Sequence, residues 1–337
     1  MKAEELSYVD IITIDRLFQA WDEFKKEKRN KKDVQVFERH LEDNLFELYR
    51  QLKKQTYRHG TYQDFYVTDP KIRHIHKSKV KDRVLHHLLY KYLYKLFDKH
   101  FIYDSYSCRK GKGTHKAVKR LEQFARVVSK NYTRECWSLK CDIKKFFASV
   151  DHDILKNLIS KKIKDKNIIW LLNNVIDSFS SDLGQGKGIP LGNLTSQIFA
   201  NIYLNELDQF VKHKLKIKYY LRYADDFLIL NTSCDTKWEE IYLESIKKFL
   251  ENILKLDLHP KKIAIRKLKW GIDFCGYIVL PHYILPRTKT KRRILKKVIQ
   301  GSDYQALQSY LGYLSHTNSF RLSEELKNIY YIKSLRA

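Results

Sequence analysis

Apolar positions recur at helical spacing over most of the first hundred residues. Leu41, Leu45, Leu48 and Leu52 fall at steps of four, three and four, inside a stretch (residues 15–56) where apolar and charged positions alternate as in a helix. Val84, Leu88, Tyr92 and Leu96 predict a long amphipathic helix, and Leu85, Leu89 and Leu93 widen its apolar face. Between these, residues 61–77 read as extended, with Tyr62, Phe65, Val67 and Ile75 around a turn-forming Asp69-Pro70. Arg109-Lys110-Gly111-Lys112-Gly113 is a basic glycine loop, with Thr114 the expected N-cap of the helix after it. The period then changes to two. Residues 136–143 predict a strand with Trp137, Leu139, Cys141 and Ile143 on one face and Ser138, Lys140 and Asp142 on the other. Phe199, Tyr203, Leu207 and Phe210 mark a further helix. Residues 221–230 read as two short strands joined by a tight Ala224-Asp225-Asp226 turn, and the last 45 residues predict basic helices. Strands separated by helices, with a helical cap at the end, give an α+β fold.

Composition narrows the class. The chain has 337 residues, enough for two or three packed lobes, and its 43% apolar content argues against disorder. No apolar run approaches the roughly 18 residues that span a bilayer. Met1-Lys2-Ala3-Glu4-Glu5 has neither the basic start nor the apolar stretch of a signal peptide. Cys108, Cys136, Cys141, Cys234 and Cys275 form no CxxC pair and are odd in number, which fits a reducing cytoplasm better than a disulfide framework or a zinc site. With only 11 Gly and 5 Pro and no low-complexity tract, short loops rather than linkers must join the lobes.

The net charge of +26 points to a polyanionic partner. Residues 50–120 carry 19 basic and 5 acidic side chains, and residues 285–337 carry 11 and 3, so these two blocks hold most of the excess. Two basic blocks around a nearly neutral centre suggest two walls of a groove. With 23 Tyr and 17 Phe offering stacking surfaces, single-stranded or hybrid nucleic acid is the expected partner.

Three carboxylates carry the candidate chemistry. Asp142 ends a strand, and Asp225-Asp226 is expected at a hairpin tip followed by Phe227-Leu228-Ile229-Leu230. A lone Asp-Asp is usually a solvated turn. Adjacent carboxylates repel each other unless a cation holds them, and apolar strands, a third Asp and basic flanks favour that case here. If the hairpin lies beside the first strand, Asp142 and Asp225 can share two Mg²⁺ ions: one lowers the pKa of an attacking 3′-hydroxyl, the other binds triphosphate oxygens and the leaving pyrophosphate. No GxxxxGK[ST] string exists, so this is not a P-loop enzyme.

Tyr223-Ala224-Asp225-Asp226 resembles the YxDD box of reverse transcriptases, and Asp142-Ile143-Lys144-Lys145-Phe146-Phe147 resembles the motif that carries their other metal-binding Asp. Gly188-Ile189-Pro190-Leu191-Gly192-Asn193-Leu194-Thr195-Ser196-Gln197 lies between them in the order that family requires. Lys71, Arg73 and Asp82-Arg83 resemble its fingers motifs. Leu258-His259-Pro260-Lys261-Lys262 and Phe274-Cys275-Gly276-Tyr277 resemble those beyond the catalytic box. The resemblance covers roughly residues 35–335. It implies a right-hand polymerase with fingers, palm and a short helical thumb that copies RNA into DNA. The implied division is a helical extension (1–56), fingers (57–130), palm (131–284, with a fingers-side insertion at about 155–192) and a basic thumb (285–337). It further implies Asp142, Asp225 and the Ile143 carbonyl as metal ligands for two Mg²⁺ ions, with Asp226 completing the catalytic set. Phe147 would be the gate against a ribose 2′-hydroxyl; as a plain core aromatic beside Phe146 it would have no such role. Lys71, Arg73, Leu191, Gly192, Gln197 and Lys262 (or its neighbour Lys261) would contact the incoming nucleotide, and Phe274, Cys275, Gly276 and Tyr277 would grip the primer.

Leu191-Gly192-Asn193-Leu194-Thr195-Ser196-Gln197 is the most discriminating string. Group II intron and retroviral enzymes usually have Gln where Leu191 stands and Pro where Gln197 stands. The pattern here resembles reverse transcriptases of diversity-generating retroelements, which misread template adenines and so mutate a target gene. That resemblance implies, as partners, template RNA and its RNA/cDNA hybrid, deoxynucleoside triphosphates, a structured element RNA and a small basic accessory variability protein. A defence-associated or other bacterial reverse transcriptase is the runner-up. A non-catalytic RNA-binding scaffold is the contrasting class, against which the three intact carboxylates argue.

Overall fold

The computed structural model describes residues 6–69, 71–232 and 236–334, so Pro70, Cys234 and the first five residues lie outside it. The α+β class is as expected: the chain forms two compact units that alternate along the sequence.

One unit comprises Met1–Ile102, Ile143–Phe210 and Ile246–Leu258. Its first helical stretch is broken into helices Ile14–Lys25, Lys32–Arg39 and Leu41–Lys53. Leu17, Ala20, Trp21 and Phe24, spaced three, one and three apart, form the buried stripe of the first of these; Leu45, Leu48 and Leu52 form that of the third. Helix Val80–Phe97 buries Val84, Leu85, Leu88, Leu89 and Leu93 because it is covered on two sides, by helix Ile14–Lys25 and by helix Leu194–Gln209. Strands β1 (Gln63–Val67) and β2 (Arg73–Lys77) make an antiparallel hairpin. The loop before helix Leu194–Gln209 lies against β2: the Leu191 carbonyl accepts the His76 N–H at 2.9 Å. Gly192 has φ +112°, and a Cβ there would come 2.9 Å from Ile75, so this close approach requires glycine. Residues 152–176 fold as helices His152–Ser160 and Lys166–Ile176, each N-capped by an aspartate, Asp151 and Asp165.

The other unit comprises Tyr103–Asp142, Val211–Ser245 and His259–Ala337. It holds β3 (Trp137–Asp142), β4 (Tyr220–Tyr223), β5 (Asp226–Asn231) and β6 (Ala264–Lys267), an antiparallel sheet in the order β4-β5-β3-β6. A second antiparallel sheet follows: β7 (Ile272–Phe274), β8 (Tyr277–Leu280) and β9 (Tyr283–Pro286). Helix Thr114–Val128 brings Ala117, Leu121, Phe124 and Ala125 into one core with Leu221, Leu228 and Leu230 of the first sheet and Phe274, Tyr277 and Val279 of the second. Its N-cap is Gly113, at φ +113°, rather than the expected Thr114. Thr114 enters the first turn instead, freeing its hydroxyl to donate to the Tyr223 hydroxyl at 3.0 Å. Helices Thr288–Gln300, Tyr304–Leu314 and Phe320–Ser334 close on Ile294, Val298, Leu307, Leu314 and Leu326. Each such buried aliphatic side chain stabilises the bundle by roughly 1.5–3 kcal/mol.

Cys108, Cys136, Cys141 and Cys275 are free thiols. Among the described residues no helix is long and apolar enough to cross a membrane.

Candidate active site

Pairing of β3 with β5 sets Asp142 directly opposite Asp226. The turn between β4 and β5 is one residue shorter than expected: it consists of Ala224 and Asp225, while Asp226 already belongs to β5 and pairs with Tyr223. Tyr223 and Asp226 bond across the strands, which leaves only two residues to reverse the chain. Ala224 takes the left-handed conformation, φ +54°, to do so.

Arg222 braces this turn, a part the sequence reading missed. Its side chain is fully buried, with Nη1 donating to the Ala224 carbonyl at 3.0 Å and Nη2 to the Ser105 hydroxyl at 3.1 Å. A buried guanidinium is costly unless its donors are used, so these bonds hold turn and neighbouring chain together. The available signal was the cation Arg222 between the apolar run Tyr219-Tyr220-Leu221 and Tyr223.

Asp142 is buried, and its Oδ1 accepts Lys262 Nζ at 2.7 Å. The Asp142 carbonyl accepts the His259 N–H at 2.8 Å, and Pro260 opens a short 3₁₀ turn, Pro260–Lys262, that delivers Lys262 to the carboxylate. Lys261 beside it is exposed. Burial works against the Lys262 charge, but the hydrogen bond and charge of Asp142, with Asp226 and Asp225 behind it, outweigh burial and raise its pKa. Burial lifts Asp226 to about 6; Lys140 opposes this at 4.0 Å, and the charges of Asp142 and Asp225 and a hydrogen bond with Asp142 reinforce it. Asp226 therefore gives up its proton less readily than an ordinary carboxyl. Asp142, Asp225 and Asp226 and the cations Lys140 and Lys262 thus meet at this end of the sheet. It opens on a cleft of about 250 Å³ lined by Lys140, Asp226, Lys262, Arg266 and Asp273. Among the described residues no three His, Cys, Asp or Glu side chains are gathered closely enough to hold a metal ion.

Phe274-Cys275-Gly276-Tyr277 forms the β7–β8 hairpin, with φ +49° and +90° at its central residues. Two left-handed residues in a two-residue loop match the right-handed twist of the strands. Phe274 and Tyr277 are core residues, and the turn is tied to the helical bundle: the Gly276 carbonyl accepts the Tyr313 hydroxyl at 2.6 Å and the Arg287 N–H at 3.1 Å. Arg287 also pairs with Asp273, its Nε 2.9 Å from Oδ1. Burial first, then the charge of Asp226, raises the Cys275 thiol far above its ordinary range, so it stays protonated.

The remaining expected residues belong to the other unit. Lys71 and Arg73 are exposed, Arg73 as the first residue of β2. Phe147 is half-buried in the short helix Phe146–Ser149, and its carbonyl accepts the Ile189 N–H at 2.7 Å. That bond and the His76–Leu191 bond bring the Phe147 segment, the 189–192 loop and β2 together. Gln197 is exposed in the first turn of helix Leu194–Gln209. Ile143 is buried and bridged to Leu258.

The pattern of the reverse transcriptase (RNA-dependent DNA polymerase) family matches residues 53–279, which takes in both strands bearing the carboxylates and the hairpin at Phe274. The chain belongs to that family. Protein YkfC of Escherichia coli is 24% identical over 242 residues, covering 61% of this chain and 63% of YkfC. The group II intron-encoded protein LtrA of Lactococcus lactis is 23% identical over 334 residues, covering 77% of this chain and 53% of LtrA. This reverse transcriptase family member thus spans less than two thirds of the length of either relative. Apo telomerase from Candida tropicalis superposes with a TM-score of 0.52 at 13% identity over 81% of this chain and 57% of the telomerase, a likeness of fold. The fold is that of the right-hand polymerases.

Proposed function

We propose that this reverse transcriptase family member is an RNA-directed DNA polymerase. The observation that carries the reading is the juxtaposition of Asp142 and Asp226 across β3 and β5, with Asp225 in the adjoining turn and Lys262 against Asp142. The donor set suits a hard divalent cation: it is all oxygen, partly buried, and its three carboxyl groups outnumber the two lysines beside them. Asp142 and Asp225, with the Ile143 carbonyl, would hold Mg²⁺, which when bound lowers the pKa of the primer 3′-hydroxyl and neutralises triphosphate charge. Asp226 supports the pair from across the strand. Lys262 carries a proton at the site and can give it to departing pyrophosphate. Lys71 and Arg73 offer exposed cations for the triphosphate, Arg73 through its planar fork. Leu191, Gly192 and Gln197 wall the nascent base pair, and Phe274 to Tyr277 position the primer. The fingers, palm and thumb divisions follow the boundaries given above. The test is primer extension on a homopolymer RNA template: DNA product that needs Mg²⁺ and disappears on chelation is expected, and RNA binding without any extension would leave only a scaffold.

We further infer that the enzyme serves a diversity-generating retroelement, working with template RNA and a small basic accessory protein and misreading template adenines. The support is Leu191. A Gln at this place can hydrogen-bond and brace the templating nucleotide, whereas a branched apolar side chain only packs. The Leu191 carbonyl, not its side chain, makes the bond to β2, so the loop tolerates exchange. Leu191→Gln is expected to lower misincorporation opposite adenine by about tenfold, or roughly 1.4 kcal/mol of added discrimination, with less effect at other bases. Sequencing cDNA made by both enzymes on one template measures this; equal adenine error rates would place the infidelity elsewhere.

A further inference from the structure

At the far end of β3 from Asp142 lies a second constellation. Trp137 and Asp142 are separated by about 17 Å of extended chain. Beside the Trp137 end a cavity of about 230 Å³ is walled by Ser129, Tyr132, Thr133, Arg134, Lys267 and Lys269. Its approach is built at some cost. Lys130, Asn131 and Tyr132 are three successive non-glycine residues in the left-handed region, at φ +48°, +57° and +67°. Side chains other than glycine are disfavoured there, Asn131 least of the three. The turn is held by the Asn131 N–H on the Arg126 carbonyl at 2.7 Å and the Tyr132 N–H on the Ser129 hydroxyl at 2.8 Å. The outcome is a fixed Tyr132 ring, edge-on to His282 at 4.5 Å.

Trp270 leaves 54% of its surface in water while meeting Trp137 edge-to-face at 5.9 Å. Lys267 Nζ lies 4.8 Å from the Trp137 ring centre and 5.8 Å from that of Trp270. Arg266 reaches back to the Trp270 carbonyl at 3.5 Å. Lys267 and Lys269 converge on Glu135, at 2.7 and 3.7 Å. Arg134 and Lys130 are exposed and make no ion pair among the described residues. Lys267 and Lys269 thus share one carboxylate, Glu135, while Arg134 and Arg266 adjoin them along the chain. Basic groups beside the exposed Trp270 ring and the half-buried Tyr132 ring suit phosphates and unstacked bases together. The edge strand β6 runs through this surface, but Arg266 and Lys267 on its four residues discourage pairing with a strand of another protein.

We propose that this sheet-edge surface binds single-stranded RNA at a site separate from the carboxylates. Trp270 and Tyr132 stack bases; Arg134, Lys267 and Lys269 meet the phosphates. The site would hold RNA outside the place of synthesis.

The test uses the full chain with its synthesis cleft saturated by a preformed template–primer hybrid and no nucleotides present. A short thiouridine-substituted RNA is then photocrosslinked and the attachment points mapped. Crosslinks on the peptides carrying Tyr132 and Trp270 are expected; crosslinks confined to other segments overturn the proposal. Arg134→Glu with Lys269→Glu should weaken binding of this second RNA about tenfold and flatten its log–log salt dependence by about 1.4, two phosphate contacts' worth. Trp270→Ala should weaken it similarly, and Trp270→Phe should restore most of the loss. Single-nucleotide extension of the hybrid should stay within about twofold of the parent. Unchanged affinity and salt slope in variants with a parental circular dichroism spectrum overturn the proposal, as does tighter binding of single-stranded DNA of the same sequence.

Discussion

Asp225→Asn is expected to reduce DNA synthesis below about one hundredth of the parent rate while the chain still folds and binds RNA. Asp225 is the second residue of the two-residue turn between β4 and β5, and asparagine is accepted in such turns as readily as aspartate. The backbone that places it is fixed from outside the side chain, by Arg222 on the Ala224 carbonyl and by the Tyr223–Asp226 pair. Amide for acid keeps size and shape and removes only the charge, so an effect of this size reports the loss of a cation ligand. A hundredfold fall corresponds to about 2.7 kcal/mol of lost transition-state stabilisation, the scale of one strong charge contact in a site of low dielectric. Single-nucleotide extension measures the effect, with thermal melting and RNA binding as controls. Extension above about one hundredth of the parent would remove Asp225 from the ligand set.

Much of this site is legible along the chain because its parts are local. A period-two run ending in Asp142 and an Asp-Asp between apolar strands need nothing distant to be recognised, and β3, β4 and β5 form where those runs lie. Register is less legible. Whether Asp225 or Asp226 faces Asp142 depends on a turn of two rather than three residues, and a one-residue slip sends every side chain to the opposite face. The reading placed both aspartates at the tip, whereas cross-strand pairing puts Asp226 within the sheet. Long-range partners are illegible for a related reason. Arg287 and Asp273, or Tyr313 and Gly276, meet only because three helices fold back on a hairpin, and no spacing in the sequence announces it. Helix Val80–Phe97 reads as amphipathic, yet a second helix covers its other side; periodicity reports a stripe, not how many neighbours it has. The alternation of the chain between two units leaves no trace in composition either: two of the crossings fall inside the helical segments Phe210–Lys214 and Thr236–Phe249.

Phe147→Val is expected to erode discrimination against ribonucleotides about a hundredfold, with the fold intact. Of the adjacent pair, Phe146 is the core residue, at 2% exposure and packed toward Tyr203, while Phe147 is half-buried and touches Phe146 edge-to-face at 5.4 Å. The local backbone does not depend on the Phe147 ring: its carbonyl is held by the Ile189 N–H, and the next carbonyl, that of Ala148, by the Ser181 hydroxyl at 2.7 Å. A half-buried ring supported by Phe146 suits a wall against the sugar of an incoming nucleotide. Shortening it opens space for a 2′-hydroxyl without moving the chain. A hydroxyl forced against a fixed ring is rejected by sterics alone, and relief of about 2.7 kcal/mol of clash accounts for a hundredfold change in relative kcat/KM. Phe146→Val is the internal contrast: it leaves a cavity in the core, lowers the melting temperature, and should leave sugar discrimination as it was. The comparison is made from kcat/KM for matched ribo- and deoxyribonucleoside triphosphates on one template. Unchanged discrimination in a folded, active Phe147→Val enzyme would return this residue to a purely structural role.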